Sequence, residues 1–293
     1  MPADPPTLQP DTAGAVARRP ALGGTLMPPQ DRHIRNVLKL FDAHGYRHDR
    51  YSLFSDCMEL CAISISNSVD SRSRTDREAR YLEIVGRYDR PTVEMFPQVF
   101  AEITMALEAA PGDVLGSIFT QLEIHNKNRG QFFTPYPVCQ MMAQVTLGNA
   151  DDARALIAEK GFVSAMEPAC GAGAMVIALA QAMLAADINY QRHLHVTAVD
   201  IDQRAVHMAY IQFSLLHIPA HVMAGNSLSN EVREHWFTPA HILGGWGAKL
   251  AAQPRAAEPP ALSLPQTAVA RPSPRKPARE PQPRAIGEQL TLF

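Results

Sequence analysis

The sequence predicts an α/β fold in which a helical domain precedes a small parallel sheet. Apolar residues recur at helical spacing in the first half of the central region, whereas the second half alternates short apolar runs with helical segments. Prolines mark the ends, since seven of the 24 fall in residues 1–30 and nine lie between Pro254 and Pro283. We therefore expect the folded part between about Asp31 and Leu250.

This composition predicts four regions along the chain. Residues 1–30 form a disordered N-terminal segment, and residues 31–130 form the helical domain. Residues 131–250 form the α/β domain that carries the ligand site, and residues 251–293 form a disordered, proline-rich tail.

Four apolar stripes predict the helices of the helical domain, and we interpret them as core packing. They are Ile34, Val37, Leu38 and Phe41; Phe54, Cys57, Met58, Cys61 and Ile65; Met95, Phe96, Val99, Phe100, Ile103 and Leu107; and Val114, Ile118, Phe119 and Leu122. Between them, the arginine-rich segment 71–80 favours a solvated helix face over a phosphate-binding patch, because acidic residues are interspersed.

Three predicted strands each end in a polar residue, at Glu167, Asp200 and Asn226, and helices from Ala174 and Arg204 fill the intervals. The carboxyl ends of parallel strands meet at one edge of a sheet, which is where open α/β sheets bind ligands. The sequence therefore predicts a ligand site formed by these three strand ends.

The loop after the first strand indicates which ligand this is. Gly171 and Gly173 allow a ligand to approach backbone N–H groups at a helix start. The third glycine of a dinucleotide fingerprint is missing, and no Gly-Lys-Ser/Thr of a P-loop follows. Asp200 suits a ribose diol. A nucleoside without a pyrophosphate fits best, and S-adenosyl-L-methionine is the obvious candidate.

Two segments carry a family resemblance over roughly residues 110–230. The loop EPACGAGAM, residues 167–175, resembles the D/E-P-x-C-G-x-G loop of S-adenosylmethionine-dependent DNA adenine-N6 methyltransferases. Upstream, NRGQFFTPYPVCQMM, residues 128–142, resembles the G-Q-F/Y-F/Y-T-P segment of the same family. The closest pattern is the modification subunit of type I restriction-modification systems. The resemblance implies a Rossmann-like methyltransferase sheet, S-adenosyl-L-methionine as cofactor, and DNA as substrate.

The resemblance also implies a set of cofactor-binding residues. Those at the methionine end are Gln131, Phe133, Thr134 and Pro135, and those around the amino-acid part are Glu167, Pro168, Ala169, Cys170, Gly171 and Gly173. The same resemblance implies that Asp200 holds the ribose, that Ile201 lies against the adenine, and that Asn226 lies near the adenine amino group.

The family's substrate-binding tetrapeptide, Asp/Asn-Pro-Pro-Tyr/Phe, does not follow Asn226. The similar stretches at residues 4–7 and 258–261 follow no apolar strand and carry no aromatic residue. The catalytic residues thus stay unassigned.

The sheet also reads as truncated after three strands, which leaves an open edge on the first strand. Residues 235–243, the helical domain, a second copy or another chain must cover that edge.

These observations leave two main hypotheses open. The first is an adenine-N6 DNA methyltransferase with divergent or partner-supplied catalytic residues, where the partner is a specificity subunit, a catalytic subunit or a second copy. The second is a catalytically inactive methyltransferase fold that acts on DNA as a regulator or assembly subunit. Methylation of RNA or of protein glutamine is a weaker third reading, against which GQFFTP argues.

The last residues, IGEQLTLF, resemble the Gln-Leu-x-Leu-Phe peptide by which bacterial proteins bind the replication sliding clamp. The resemblance assigns Gln289, Leu290, Leu292 and Phe293 to such a partner site. A frayed terminus with chance apolar residues is the alternative.

Net charge, the absence of targeting segments and the cysteine content indicate how the protein contacts nucleic acid and in which compartment we expect it. A net charge of −2 means that nucleic acid is contacted by local patches only. The first 30 residues contain no signal peptide, and no apolar run is long enough to span a bilayer. The four cysteines favour buried, reduced thiols over a metal site, so we expect a cytoplasmic protein.

Overall fold

The computed structural model describes residues 29–45, 47–123 and 133–252. The predicted disorder of the two ends falls mostly on residues 1–28 and 253–293, outside this described part, and so do Gln131 and the predicted clamp peptide. Within it, none of the helices is both long and apolar enough to cross a membrane.

The N-terminal half is helical, as predicted. Its helices are α1 (Pro29–His44), α2 (Arg50–Asn67), α3 (Arg74–Val85), α4 (Arg90–Ala109) and α5 (Val114–Glu123). The four predicted stripes lie in α1, α2, α4 and α5, and most of their residues are buried. Capping carboxylates define two of the helix starts, because Asp49 accepts from the Ser52 N–H and Asp89 from the Thr92 N–H.

The C-terminal half alternates helices and strands. Its elements are α6 (Tyr136–Leu147), α7 (Asp151–Lys160), β1 (Val163–Glu167), α8 (Ala174–Ala185), α9 (Tyr190–His193), β2 (Leu194–Asp200), α10 (Gln203–Leu215), β3 (Ala220–Asn226), β4 (Glu231–Phe237), α11 (Pro239–Leu243) and α12 (Trp246–Ala251). The first three strands end at the predicted residues, so the strand predictions are confirmed.

The described strands form one sheet in the order β1-β2-β3-β4. The first three are parallel, whereas β4 runs antiparallel to β3 and pairs Trp236 with Val222. The expectation that the sheet stops after three strands is therefore wrong. Trp236 is buried against Tyr210 and His207 of α10, and this packing holds the otherwise polar β4 on the sheet.

The outer edge of β1 pairs with no other strand in the part of the chain that the structure describes. Residues 235–243, one of the segments expected to cover it, instead form the end of β4 beside β3 and helix α11, whose His241 contacts His195 of β2. That expectation is wrong, because a four-residue turn is long enough only to return the chain beside β3. Met166 on β1 remains 65% exposed, so this edge is both unpaired and partly apolar.

Most of α3 is solvent-exposed, as the sequence predicts, but two of its arginines are bound to neighbouring segments. The Arg77 side chain is only 11% exposed; it lies 3.5 Å from the Asp70 carboxylate and donates to the His235 carbonyl at 2.8 Å. Its guanidinium also lies 4.0 Å from the ring centroid of Trp236. Arg80 forms a bidentate pair with Glu59. The prediction of a solvated face is therefore confirmed for most of the helix, including the exposed Arg74, and wrong for Arg77, because Asp70 and Trp236 lie opposite it.

Helix α10 lies at the centre of the molecule, and all of its residues from Ala205 to Phe213 are buried. One face of this helix packs on β2 and β3, and another packs on α2, α4 and α5. The helical half and the sheet consequently share one hydrophobic core.

Gln212 of α10 is fully buried and connects three segments by hydrogen bonds. Its Oε1 accepts from the Leu115 N–H at 3.0 Å, and its Nε2 donates to the Ala172 carbonyl at 2.8 Å and to Asp113 Oδ1 at 3.1 Å. Burial raises the pKa of the Asp113 carboxyl. The amide thus joins the start of α5 to the loop that follows β1.

Replacing Gln212 with Leu should lower the free energy of unfolding by about 3 kcal/mol, because it leaves buried donors and acceptors without partners. Urea unfolding at pH 7.5 measures the change. The matched control is Gln98→Leu, whose amide donates to a carbonyl on the exposed face of α4; its effect should stay within about 0.5 kcal/mol. Equal stabilities of the two variants would contradict this role for Gln212.

Several histidines lie in or against the sheet, and burial lowers their pKa. A hydrogen bond of 2.9 Å joins the rings of His195 and His241, and another of 2.9 Å joins the rings of His221 and His235. The pKa values of His195, His207 and His221 are lowered to about 4, in each case chiefly by burial. These rings are therefore neutral in the folded protein at pH 7.

Stability should fall as the pH drops from about 6.5 to about 4, because the unfolded chain binds protons at these histidines before the folded chain does. His207 is fully buried and its ring nitrogens have no partner among the described residues, so His207→Phe should remove part of this dependence. Between pH 7.5 and pH 5, we expect the variant to lose about 2 kcal/mol less than the wild type. Urea unfolding at both pH values measures this, and parallel losses would refute it.

Candidate cofactor site

The loop between β1 and α8 is held by backbone hydrogen bonds to the sheet and within itself. The Cys170 N–H donates to the Val199 carbonyl of β2 at 2.8 Å, and the Gly173 N–H donates to the Cys170 carbonyl at 2.8 Å. The chain then enters α8, whose N-cap residue is Gly173. The loop is therefore a fixed turn at the carboxyl ends of β1 and β2.

Both loop glycines are required, for different reasons. Gly171 has φ +53°, and a Cβ there would lie 2.9 Å from the Phe133 ring. Gly173 has φ +100°, and a Cβ there would lie 2.4 Å from the Phe213 ring of α10. The glycines thus provide left-handed backbone and close packing, one toward the segment before α6 and the other toward the core.

The Asp200 carboxylate joins the loop to the end of β2. Its Oδ2 accepts from the Gly171 N–H at 2.8 Å, and its Oδ1 accepts from the Asp202 N–H at 2.9 Å. Each carboxylate oxygen has a second acceptor position, so Asp200 can still accept from a ligand hydroxyl. A buried carboxylate with two backbone donors is also held in one orientation.

These residues enclose a cavity of about 230 Å³ at the carboxyl edge of the sheet. Predicted site residues that line it are Phe133, Thr134, Glu167, Ala169, Cys170, Gly171 and Asp200. Sequence reasoning missed Cys139, Ala172, Ala174 and Met175, which also line it. Helical spacing was the available signal for Cys139, since it lies one turn beyond Pro135.

Other predicted residues do not line this cavity. Pro135 is the N-cap residue of α6, and Pro168 and Gly173 shape the loop from outside the cavity. The Ile201 side chain is exposed beside the strand end, and its carbonyl accepts from Arg233 at 2.6 Å. Asn226 Oδ1 accepts from the Leu228 N–H at 3.0 Å and so closes the turn that leads to β4.

The cavity is acidic and its thiols are neutral. Burial raises the pKa of Cys170 well above its ordinary value, and the carboxylates of Asp200 and Glu167 raise it further. Burial likewise raises the pKa of Cys139, with a smaller effect of Asp113. Neither thiol is therefore a nucleophile near neutral pH. All four cysteines are buried and unbridged, as predicted. The described residues contain no group of side chains that could hold a metal ion.

Comparison with known proteins identifies the segment that forms this site. Residues 111–243 match the family model of the N-6 DNA methylases. This segment is therefore similar to that family. It runs from just before α5 to the last residue of α11, so it contains the whole sheet and every lining residue of the cavity. A search of curated proteins finds no match.

Two solved structures are similar to parts of the chain. One is a putative class I S-adenosylmethionine-dependent methyltransferase from Listeria monocytogenes, with 15% identity, TM-score 0.38, and coverage of 68% of this chain and 55% of that one. The other is the methyltransferase subunit of a type I restriction-modification system from Streptococcus thermophilus, with 12% identity, TM-score 0.34, and coverage of 66% and 58%. The chain thus spans little more than half the length of either protein.

S-adenosylmethionine is the cofactor that the N-6 DNA methylase family implies, and the lining residues fit it. The cofactor carries two positive charges, an ammonium and a sulfonium, against one carboxylate, and it also has a ribose diol. The cavity offers two carboxylates, Glu167 and Asp200, and no lysine or arginine lines it among the described residues. A cavity with acceptors and no cation suits a ligand of this charge.

Replacing Ala169 with Phe should weaken binding of S-adenosylmethionine at least 10-fold, because the ring would fill part of the cavity that the methyl group of Ala169 lines. Ala169 is exposed, so the melting temperature should not change. Isothermal titration calorimetry measures the affinity. Ala155→Phe on the exposed side of α7 is the matched control and should bind like the wild type. An unchanged affinity of Ala169→Phe would show that the ligand binds elsewhere.

Proposed function

We propose that the chain binds S-adenosylmethionine in the cavity at the ends of β1 and β2, and that it acts as an adenine-N6 DNA methyltransferase whose substrate side is completed by a partner chain. One observation carries the proposal: the acidic cavity lies wholly within the segment that matches the N-6 DNA methylase family model. The finer assignment to restriction-modification follows from the sequence motifs.

In this proposal the chain's own residues bind and orient the cofactor. Asp200 accepts from the ribose hydroxyls, and the Glu167 carboxylate faces the ammonium group. Phe133 packs against Gly171 and keeps the loop in its left-handed conformation. When bound, S-adenosylmethionine supplies an electrophilic methyl group. The neutral thiols of Cys139 and Cys170 line the cavity without competing as nucleophiles.

The segment after β3, where the family binds the adenine base, supports the role of a partner. After Asn226 the chain turns directly into β4, and no Asp/Asn-Pro-Pro-aromatic sequence stands there to accept hydrogen bonds from an adenine amino group. Among the described residues the outer edge of β1 pairs with no strand, which supports the same conclusion because such an edge can accept a strand of another chain. The partner would supply both the missing strand pairing and the base-binding residues.

A second candidate function is a catalytically inactive methyltransferase fold that serves as a regulator or assembly subunit on DNA. The same missing tetrapeptide favours it. The paired arginines of α3 give no support to a phosphate-binding patch in that segment, since Arg77 and Arg80 are already bound to carboxylates. The clamp peptide at Gln289–Phe293 lies outside the described residues and stays a prediction.

Calorimetry with S-adenosylmethionine, followed by tritium transfer to mixed-sequence DNA, tests the proposal. We expect binding by the purified chain alone, and methyl transfer to adenine only when an extract of the source cells is added. The control reaction contains extract and the Ala169→Phe variant, so that transfer by other enzymes is subtracted. Binding without transfer under both conditions would favour the inactive fold. Absence of binding would contradict both functions.

A further inference from the structure

Helix α6 is apolar on the side that faces the protein. Cys139 and Ala143 are buried there and pack against Ala174 and Ala178 of α8. The small side chains allow the two helices to approach closely. This inner side, together with Thr134 just before the helix, also forms one wall of the cofactor cavity.

The same helix is apolar on its outer side as well. Val138, Met141, Met142 and Val145 are 39%, 59%, 45% and 77% exposed. They occupy positions i, i+3, i+4 and i+7, so they form a continuous stripe along two helical turns. Single exposed apolar residues are ordinary, whereas a continuous stripe of this kind marks a surface that another element covers. We call it the α6 stripe.

The spacing of the α6 stripe fits a helix as its partner, because the i, i+3, i+4, i+7 pattern is how one helix presents ridges to another. Its order is also symmetric: Val, Met, Met and Val read the same from either end. If two copies cross antiparallel about an axis between Met141 and Met142, each valine faces the other valine and the methionines face each other. Such a surface is complementary to itself, as a two-fold interface requires.

Charge favours a second copy over a different partner. No residue from Tyr136 to Leu147 is charged, so two copies of α6 meet without like-charge repulsion. A charged partner helix would find no counter-charge on this helix. We propose that the α6 stripe is the self-association surface of this protein and packs antiparallel against the same stripe of a second copy.

The size of the surface sets the strength of the dimer. A 12-residue helix buries on the order of 300–400 Å² per copy, which is less than the roughly 800 Å² per partner of a standard interface. The dimer should therefore be weak, and its population should depend on concentration. The stripe lies on the outer side of α6 and the cofactor cavity on its inner side, so the inference does not depend on the proposed function.

Sedimentation velocity of the full chain between about 1 and about 100 µM, a range that spans micromolar dissociation constants, tests the association. The wild type should approach twice the 32.1 kDa of the chain as concentration rises. Met141→Glu with Val145→Glu should remain monomeric, because four carboxylates would meet at the interface. Leu243→Glu is the matched control, as this leucine is equally exposed but lies on α11; it should dimerise like the wild type.

Cysteine cross-linking tests the antiparallel arrangement. In a mixture of Val138→Cys and Val145→Cys chains, mild oxidation should produce a disulfide between unlike chains. Either variant alone should cross-link weakly, because identical positions lie roughly 10 Å apart along the helix axis, at 1.5 Å per residue. The native cysteines are all buried and give little background.

The possible results decide the proposal. A wild type that stays monomeric at all concentrations overturns it, and so does a dimer that survives the double glutamate substitution. Circular dichroism of that double variant must match the wild type, and since both positions are exposed we expect that it does. Stronger cross-linking of Val138→Cys with itself than with Val145→Cys would overturn the antiparallel packing.

Discussion

The buried amide of Gln212 is the interaction on which the arrangement of this protein depends. It bonds at once to the start of α5, to Asp113 and to the carbonyl of Ala172 in the cofactor loop. Three segments that are distant in sequence are therefore held at one point inside the shared core. An unsatisfied polar group there would cost more than any single apolar contact, so the helical half and the loop are fixed relative to each other.

The cofactor loop shows how few residues are needed to form such a site. Asp200 orients the loop through the Gly171 N–H and still faces the cavity with spare acceptor positions. The left-handed backbone of Gly171 is held in turn by the Phe133 ring. The strand end, the loop and the segment before α6 thus support one another, which is how a small sheet can hold a polar ligand in a defined orientation.

Two surfaces of the protein are less completely paired or buried than its core. Within the described part of the chain the outer edge of β1 pairs with no strand, and the outer side of α6 exposes a stripe of valine and methionine. Both lie within residues 111–243, which match the N-6 DNA methylase family model, and both adjoin elements that line the cavity. On the opposite side of the sheet, β4 pairs with β3 and buries Trp236, and β4 is itself the last of the described strands.

The sequence by itself determined the local elements and the cofactor loop. Apolar periodicity identified four of the helices, the three parallel strands and the residues at which they end, because these patterns arise between near neighbours in the chain. The motifs EPACGAGAM and GQFFTP brought six cavity-lining residues into one prediction, and the end of the second predicted strand added Asp200. Only the tertiary structure decided the rest. It paired the polar strand β4 with β3, turned Arg77 inward to the His235 carbonyl 158 positions away, and used Asn226 to close a turn. Contacts between residues so far apart depend on packing, which no local pattern encodes.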